Sequence, residues 1–238
     1  MKKLVVAFLL TITVKVSTAQ VLIAILFGDK LNSGKLEFGL MLSPTLTNIT
    51  NIDANVRPGI DFGLYFNMKL SDRFYFHPEA IPKLSFGAKN ITPYPLGDPR
   101  LDSLFTGGSV NRAVKAIGLP LLMRYRIAGS FYVEAGPQID LITNGKDVFK
   151  TEVNDNDLSY ENKTKDQYTR FDVGYVLGLA YRIQPGPRGM TLGVRYNGGL
   201  TDIMKNEPGN QLNSAWLFSI YVPVGSGKAA EKKAHKAQ

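Results

Sequence analysis

The sequence predicts an all-β fold, an eight-stranded antiparallel up-and-down transmembrane β-barrel. Three observations predict it. Apolar residues recur at every second position in eight separate segments. The connections between those segments alternate strictly between short and long. The first nineteen residues read as a secretory leader, and no later stretch approaches the roughly 20 apolar residues that a membrane helix needs.

Taken in order, the leader begins with Lys2 and Lys3, continues through an apolar run over 4–14, and closes on Ser17-Thr18-Ala19 before Gln20. That is the layout of a signal peptide cleaved after Ala19. An uncleaved anchor is the alternative, and the apolar run is too short to span a bilayer as helix. Residues 20–33 form a lead-in whose continuously apolar part, 21–27, is read as a short helix beneath the barrel. The barrel domain occupies 34–224 and a basic tail 225–238.

The eight strands are placed near 35–47, 58–70, 73–87, 112–127, 130–142, 169–183, 189–199 and 212–224. Side chains of a strand point alternately to its two faces. The second strand has Ile60, Phe62, Leu64, Phe66, Met68 and Leu70 on one face, with Asp61, Gly63, Tyr65, Asn67 and Lys69 on the other. The third has Phe74, Phe76, Pro78, Ala80, Pro82, Leu84 and Phe86 opposite Tyr75, His77, Glu79, Ile81, Lys83 and Ser85. The sixth has Phe171, Val173, Tyr175, Leu177, Leu179, Tyr181 and Ile183 opposite Asp172, Gly174, Val176, Gly178, Ala180 and Arg182. Three connections are short, near 71–72, 128–129 and 184–188. Four are longer and polar, near 48–57, 88–111, 143–168 and 200–211. Short periplasmic turns and longer external loops around an even number of strands are the layout of an outer-membrane barrel.

Side-chain size sets which face meets lipid. The apolar faces carry Phe, Leu, Ile, Tyr and Met, too bulky for an eight-stranded interior that side chains only just fill. The opposite faces carry glycines and charges of both signs, which a narrow lumen accommodates. The expected lumen network comprises Glu37, Asp61, Lys69, His77, Glu79, Lys83, Arg124, Arg126, Glu134, Asp140, Asp172, Arg182 and Arg195, with Glu134–Arg124 and Asp172–Arg182 as candidate pairs. Tyr125, Phe131, Phe171, Tyr181, Tyr196 and Trp216 are placed to form interfacial girdles. Pro78, Pro82, Pro120 and Pro137 cannot donate ladder bonds, so bulges or interruptions are expected there.

The formal charge of +8 is concentrated at the ends. Lys2, Lys3 and Lys15 carry three charges, and Lys228, Lys232, Lys233 and Lys236 against Glu231 a net three more. The body keeps only about two, which gives nucleic-acid binding no support. With no cysteine there is neither a disulfide nor a lipidated N-terminal Cys. The body has one histidine, His77, too few for a metal site of three or four ligands, and no Ser–His–acid arrangement is visible. The chain is therefore read as non-enzymatic and without cofactor.

Several segments resemble the PorT-like outer-membrane β-barrel family of Gram-negative bacteria. They are Gly28-Asp29-Lys30-Leu31-Asn32-Ser33-Gly34-Lys35-Leu36-Glu37-Phe38-Gly39, Pro78-Glu79, Ile117-Gly118-Leu119-Pro120-Leu121-Leu122, Tyr132-Val133-Glu134-Ala135-Gly136-Pro137 and Gly199-Leu200-Thr201-Asp202-Ile203. The resemblance implies an eight-stranded barrel in the outer membrane and suggests a link to protein secretion. The basic tail departs from barrels that end on a terminal aromatic. The functional expectation is a structural or interaction protein with a plugged polar lumen, in contact with outer-membrane lipid and, through its loops or tail, with envelope or secretion-machinery proteins. The rival readings are a narrow pore for small solutes and a secreted lipocalin-like binder of apolar ligands.

Overall fold

The structure, a computed structural model, describes residues 35–153, 155–184, 189–205 and 207–224. The leader, the 20–33 lead-in with its expected helix, and the 225–238 tail lie outside the described residues.

The strands are β1 (Leu36–Ile49), β2 (Asn55–Lys69), β3 (Phe74–Ile91), β4 (Ser109–Ala128), β5 (Phe131–Val153), β6 (Asn156–Lys163), β7 (Phe171–Arg182), β8 (Thr191–Gly199) and β9 (Asn213–Pro223). One short helix, α1 (Pro99–Phe105), lies between β3 and β4, and a 3-10 turn (Lys165–Gln167) precedes β7. All pairings are antiparallel. Eight strands close a ring in which β4 pairs β5, β5 pairs β7, and β9 returns to β1. The ninth, β6, pairs only the outer part of β5, from Lys146↔Lys163 to Val153↔Asn156. The ring is the expected up-and-down barrel, and closure removes the exposed edges that an open sheet would present.

The bulky faces point outward. Phe131, Leu179, Phe171 and Phe218 are among many large apolar side chains left exposed on the outer surface, Phe131 at 59% and Leu179 at 61%. At the end bearing the short turns, Phe74 meets Tyr125 (centroids 4.9 Å) and Phe131 meets Tyr181 (4.7 Å). Toward the other end, Tyr175, Tyr196 and Trp216 form a row with centroids 6.3 and 5.2 Å apart. Two aromatic belts around an apolar band are what a membrane barrel presents to lipid.

Three features depart from expectation. First, β3 contains a bulge: its register against β4 slips between Ile81↔Gly118 and Leu84↔Ala116. Both Pro82 and Lys83 then face outward, and the side-chain phase reverses beyond them. Leu84 and Phe86, expected on the lipid side, are buried inside instead. The register passes unbroken through Pro120↔Gln138 and Pro137↔Tyr175, so only Pro82 coincides with a slip in register.

Second, the lumen is polar only in part. Beyond the bulge its outer half holds an apolar cluster of Met41, Ile49, Leu84, Phe86, Val114 and Ile142, capped by Tyr168, Ile203 and Met204 from the connections above. An isolated bridge joins Tyr168 to Met204.

Third, two of the expected long loops are partly regular. The first connection shrinks to 50–54. The 143–168 segment continues β5 and folds back as β6, turning at Asp155 with φ of 60°. In the 88–111 segment, α1 begins where the Asp98 carboxylate accepts from Arg100 N–H (2.9 Å) and Pro99 occupies the first turn.

Candidate functional site

Inward-facing positions of β3, β4, β5 and β8 place five side chains in a closed circuit across the middle of the barrel. Arg124 on β4 donates from Nε and Nη2 to Glu134 Oε2 on β5, at 2.8 and 2.7 Å. The other Glu134 oxygen accepts from Arg195 Nε on β8. Arg195 Nη1 lies 2.7 Å from Glu79 Oε1 on β3, and that oxygen lies 3.0 Å from His77 Nε2. His77 Nε2 is in turn 3.1 Å from Arg124 Nη2. All five side chains are buried. Two arginines face two glutamates, so the formal charges balance, the condition under which buried ions are tolerated.

Local sequence makes room for this circuit and braces it. A Cβ on Gly178 would come within 2.7 Å of Arg195 Cγ and 3.0 Å of Glu134 Oε1, so the glycine leaves the space the ion pair occupies. Tyr221 packs under both cations, with guanidinium carbons 5.6 Å (Arg124) and 5.1 Å (Arg195) from its ring centre. Tyr65 stands edge-on to Tyr221 (5.2 Å) and beside His77 (5.3 Å), and Tyr132 lies 5.8 Å from Arg124. Below, Glu37 receives the Tyr65 hydroxyl (3.1 Å) and pairs with Arg182 (2.5 Å).

The other expected lumen residues divide. Asp61 is buried and accepts from Ser85 N–H (3.0 Å), a backbone donor just past the bulge. Asp140 is buried and receives the Gln138 amide (2.9 Å). Asp172 is also buried, but its carboxylate accepts from Thr201 (2.7 Å), while Arg182 goes to Glu37. The expected Asp172–Arg182 pair is therefore corrected, because the two sit at opposite ends of β7. Lys69 leaves the lumen network for an ion pair with Asp72 (2.8 Å) in the β2–β3 turn. Lys83 leaves it because the bulge turns it outward. Arg126 is half-buried near the turn end of β4 and takes no place in the central circuit.

Above the membrane-facing band, Arg112 and Asp147 form a second buried pair that the sequence reading missed. Arg112 Nε and Nη2 reach the carboxylate at 3.1 and 2.7 Å, and Nη1 touches Met204 Sδ (3.4 Å). Burial opposes the Arg112 charge, yet the Asp147 carboxylate, with the Tyr168 and Tyr94 phenols, more than offsets it and raises its pKa. Tyr94 donates to Asp147 (3.1 Å) and accepts from Asn162 (3.0 Å). Burial and the neighbouring carboxylate push the Tyr94 phenol up to about 12, so it stays a donor at neutral pH. Beside this pair, Phe105 of α1 packs with Val110 and Phe149, flanked by Ile91, Leu96 and Leu101. The outer face thus has its own small core. Asp147→Ala is expected to loosen that face alone. Limited proteolysis should cut within 92–108 sooner than in the parent, while the barrel still shifts mobility on heating in SDS gels.

The chain matches the family model described as "Outer membrane protein beta-barrel domain" over residues 27–205. The chain belongs to this family. Among solved structures it is similar to Ail of Yersinia pestis crystallised with the heparin analogue sucrose octasulfate, at 10% identity and TM-score 0.42, covering 80% of this chain and 99% of that one. It is also similar to Neisserial surface protein A, at 10% identity and TM-score 0.38, covering 79% and 96%. No curated protein matches the sequence. Family membership makes the lipid-facing band that of an outer-membrane barrel, and in such barrels the short turns face the periplasm and the longer loops face outward.

Proposed function

We propose that this outer-membrane barrel is a non-conducting, non-enzymatic interaction protein whose working surface is its ordered outer face. The observation that carries the reading is the double closure of the lumen. The five-residue charged circuit with Tyr65 and Tyr221 blocks its middle, and the apolar packing of Phe86, Leu84 and Met41 fills it above. An ion would have to force its way between side chains already packed or hydrogen-bonded to one another, Leu84 and Phe86 beside buried Asp61 and Asp140. The outer face, by contrast, is braced by a buried ion pair and a small core, the investment expected of a rigid binding platform. The resemblance to PorT-like barrels supports envelope or secretion-machinery proteins as partners. A lipocalin-like role is disfavoured because the large apolar side chains face outward.

Purified protein in planar bilayers is expected to stay electrically silent at moderate voltage. Steady, voltage-independent single-channel conductance would overturn the closed-lumen reading and favour the narrow pore.

A further inference from the structure

At the outer membrane edge, β5 and β7 part company. Their last paired residues are Leu141↔Phe171, and Ile142 N–H then donates to Arg170 O (2.9 Å). Beyond that point β5 continues with β4 and β6, while the chain leading into β7 diverges from it. The gap is a cavity of about 460 Å³ whose lining includes Lys165, Arg170, Lys205, Thr143 and Tyr168.

We propose that this notch binds the phosphate of an outer-leaflet lipid headgroup. Three cations line it against one carboxylate, Asp166. Among the described residues none of the three is in an ion pair, whereas the exposed lysines Lys69 and Lys146 have each found a carboxylate, at 2.8 and 2.6 Å. The notch is also preformed. Lys205 Nζ donates to Asp166 O (3.1 Å) and Lys205 N–H to Gln167 O (2.9 Å), tying the two connections together over buried Tyr168. Its position at the edge of the apolar band favours a lipid over a soluble anion. The Arg170 guanidinium stands 5.9 Å from the ring of Phe171, which marks the top of the apolar band on β7, and exposed Leu200 lies at the same level, where β8 ends. A phosphate seated among the cations would leave its acyl chains along Phe171, Val173 and Ile139, all exposed on the outer surface. Arginine can grip such a phosphate with two parallel donors while the lysines act as point charges. This site goes beyond the interaction role proposed above and does not depend on it.

The test is native mass spectrometry of detergent-purified barrel titrated with phosphatidic acid or phosphatidylcholine. The parent is expected to retain one phosphatidic acid in preference to phosphatidylcholine. K165Q/R170Q/K205Q should weaken that retention on the order of 100-fold, using about fivefold per cation near a headgroup surface. A control variant, K69Q/R73Q/K83Q, removes three cations elsewhere and should retain the parent's preference. Should the triple variant fail to fold, Arg170→Gln alone, at an exposed position, is expected to cost several-fold. Equal binding of the two lipids by the parent, or equal loss in notch and control variants, overturns the proposal. Displacement of phosphatidic acid by inorganic phosphate at matching concentration would assign the notch to a free anion, which also overturns it.

Discussion

Glu134→Gln is expected to lower the unfolding free energy by about 3–5 kcal/mol, the cost of removing one partner from a buried ion pair. Glu134 is the hinge of the circuit, since each of its oxygens serves a different arginine. The amide keeps the shape of the side chain but removes its charge, and it places an NH₂ against one guanidinium. Arg124 and Arg195 would then face Glu79 alone, leaving a net positive charge buried against Tyr221. The measurement is urea unfolding in lipid vesicles followed by the fluorescence of Trp216, the single tryptophan, which sits 51% exposed on the lipid-facing surface. Asp72→Asn is the comparison. It breaks an ion pair at the periplasmic turn where both partners meet water, and its midpoint should be unchanged within error. Equal effects of the two substitutions would mean that the lumen is wet enough to screen its charges, and the closed-lumen reading would fail with them.

What could be read in advance follows from which solvent each segment meets. Where a strand has lipid on one face and a lumen on the other, the contrast between the faces is large. Ile60 to Leu70 and Phe171 to Tyr181 therefore announced both their strand character and their orientation. Outside the membrane that contrast disappears. In β6, Asn156–Lys163, almost every residue is exposed, so backbone pairing to β5 holds the strand while its side chains read as loop. Asp147 was assigned to the same polar loop, which hid its partnership with Arg112. The alternation of Asp147 and Phe149, both buried on one face, was the signal available. Helix α1 was announced only by Asp98-Pro99, a cap followed by a first-turn proline.

The lumen residues show the same limit on a finer scale. Alternation assigns a side chain to a face, and Glu79, Glu134, Asp140 and Arg195 are buried on the face it gives them. It assumes an unbroken phase, and the bulge at Pro82–Lys83 breaks it, sending Lys83 out and Leu84 and Phe86 in. Nor does alternation choose partners, because pairing depends on height along the barrel. Arg182 belongs to the periplasmic end with Glu37, and Asp172 to the outer end with Thr201.

Gly136→Ala is expected to leave most of the protein unfolded after refolding into micelles. A Cβ on Gly136 would lie 2.2 Å from Leu121 O and 2.9 Å from Leu122 Cα, both backbone atoms of β4. No rotamer change relieves such a contact, so the β4–β5 pairing itself must open. Pro120 and Pro137 fall in successive pairs of this register, so one of them already removes an N–H donor from the β4–β5 ladder and leaves it fewer bonds with which to resist. Gly193→Ala is the matched control. It is another glycine in the same barrel, yet its nearest neighbour would be Tyr221 Cε2 at 3.4 Å, an ordinary contact. The alanine there also reduces the freedom of the unfolded chain, so a change within about 1 kcal/mol is expected. Heat-dependent mobility in SDS gels reads both variants directly as the folded fraction. A Gly136→Ala protein that refolds as completely as Gly193→Ala would show that β4 and β5 do not approach as closely at Leu121 as described, and the tight wall on that side of the charged circuit would have to be redrawn.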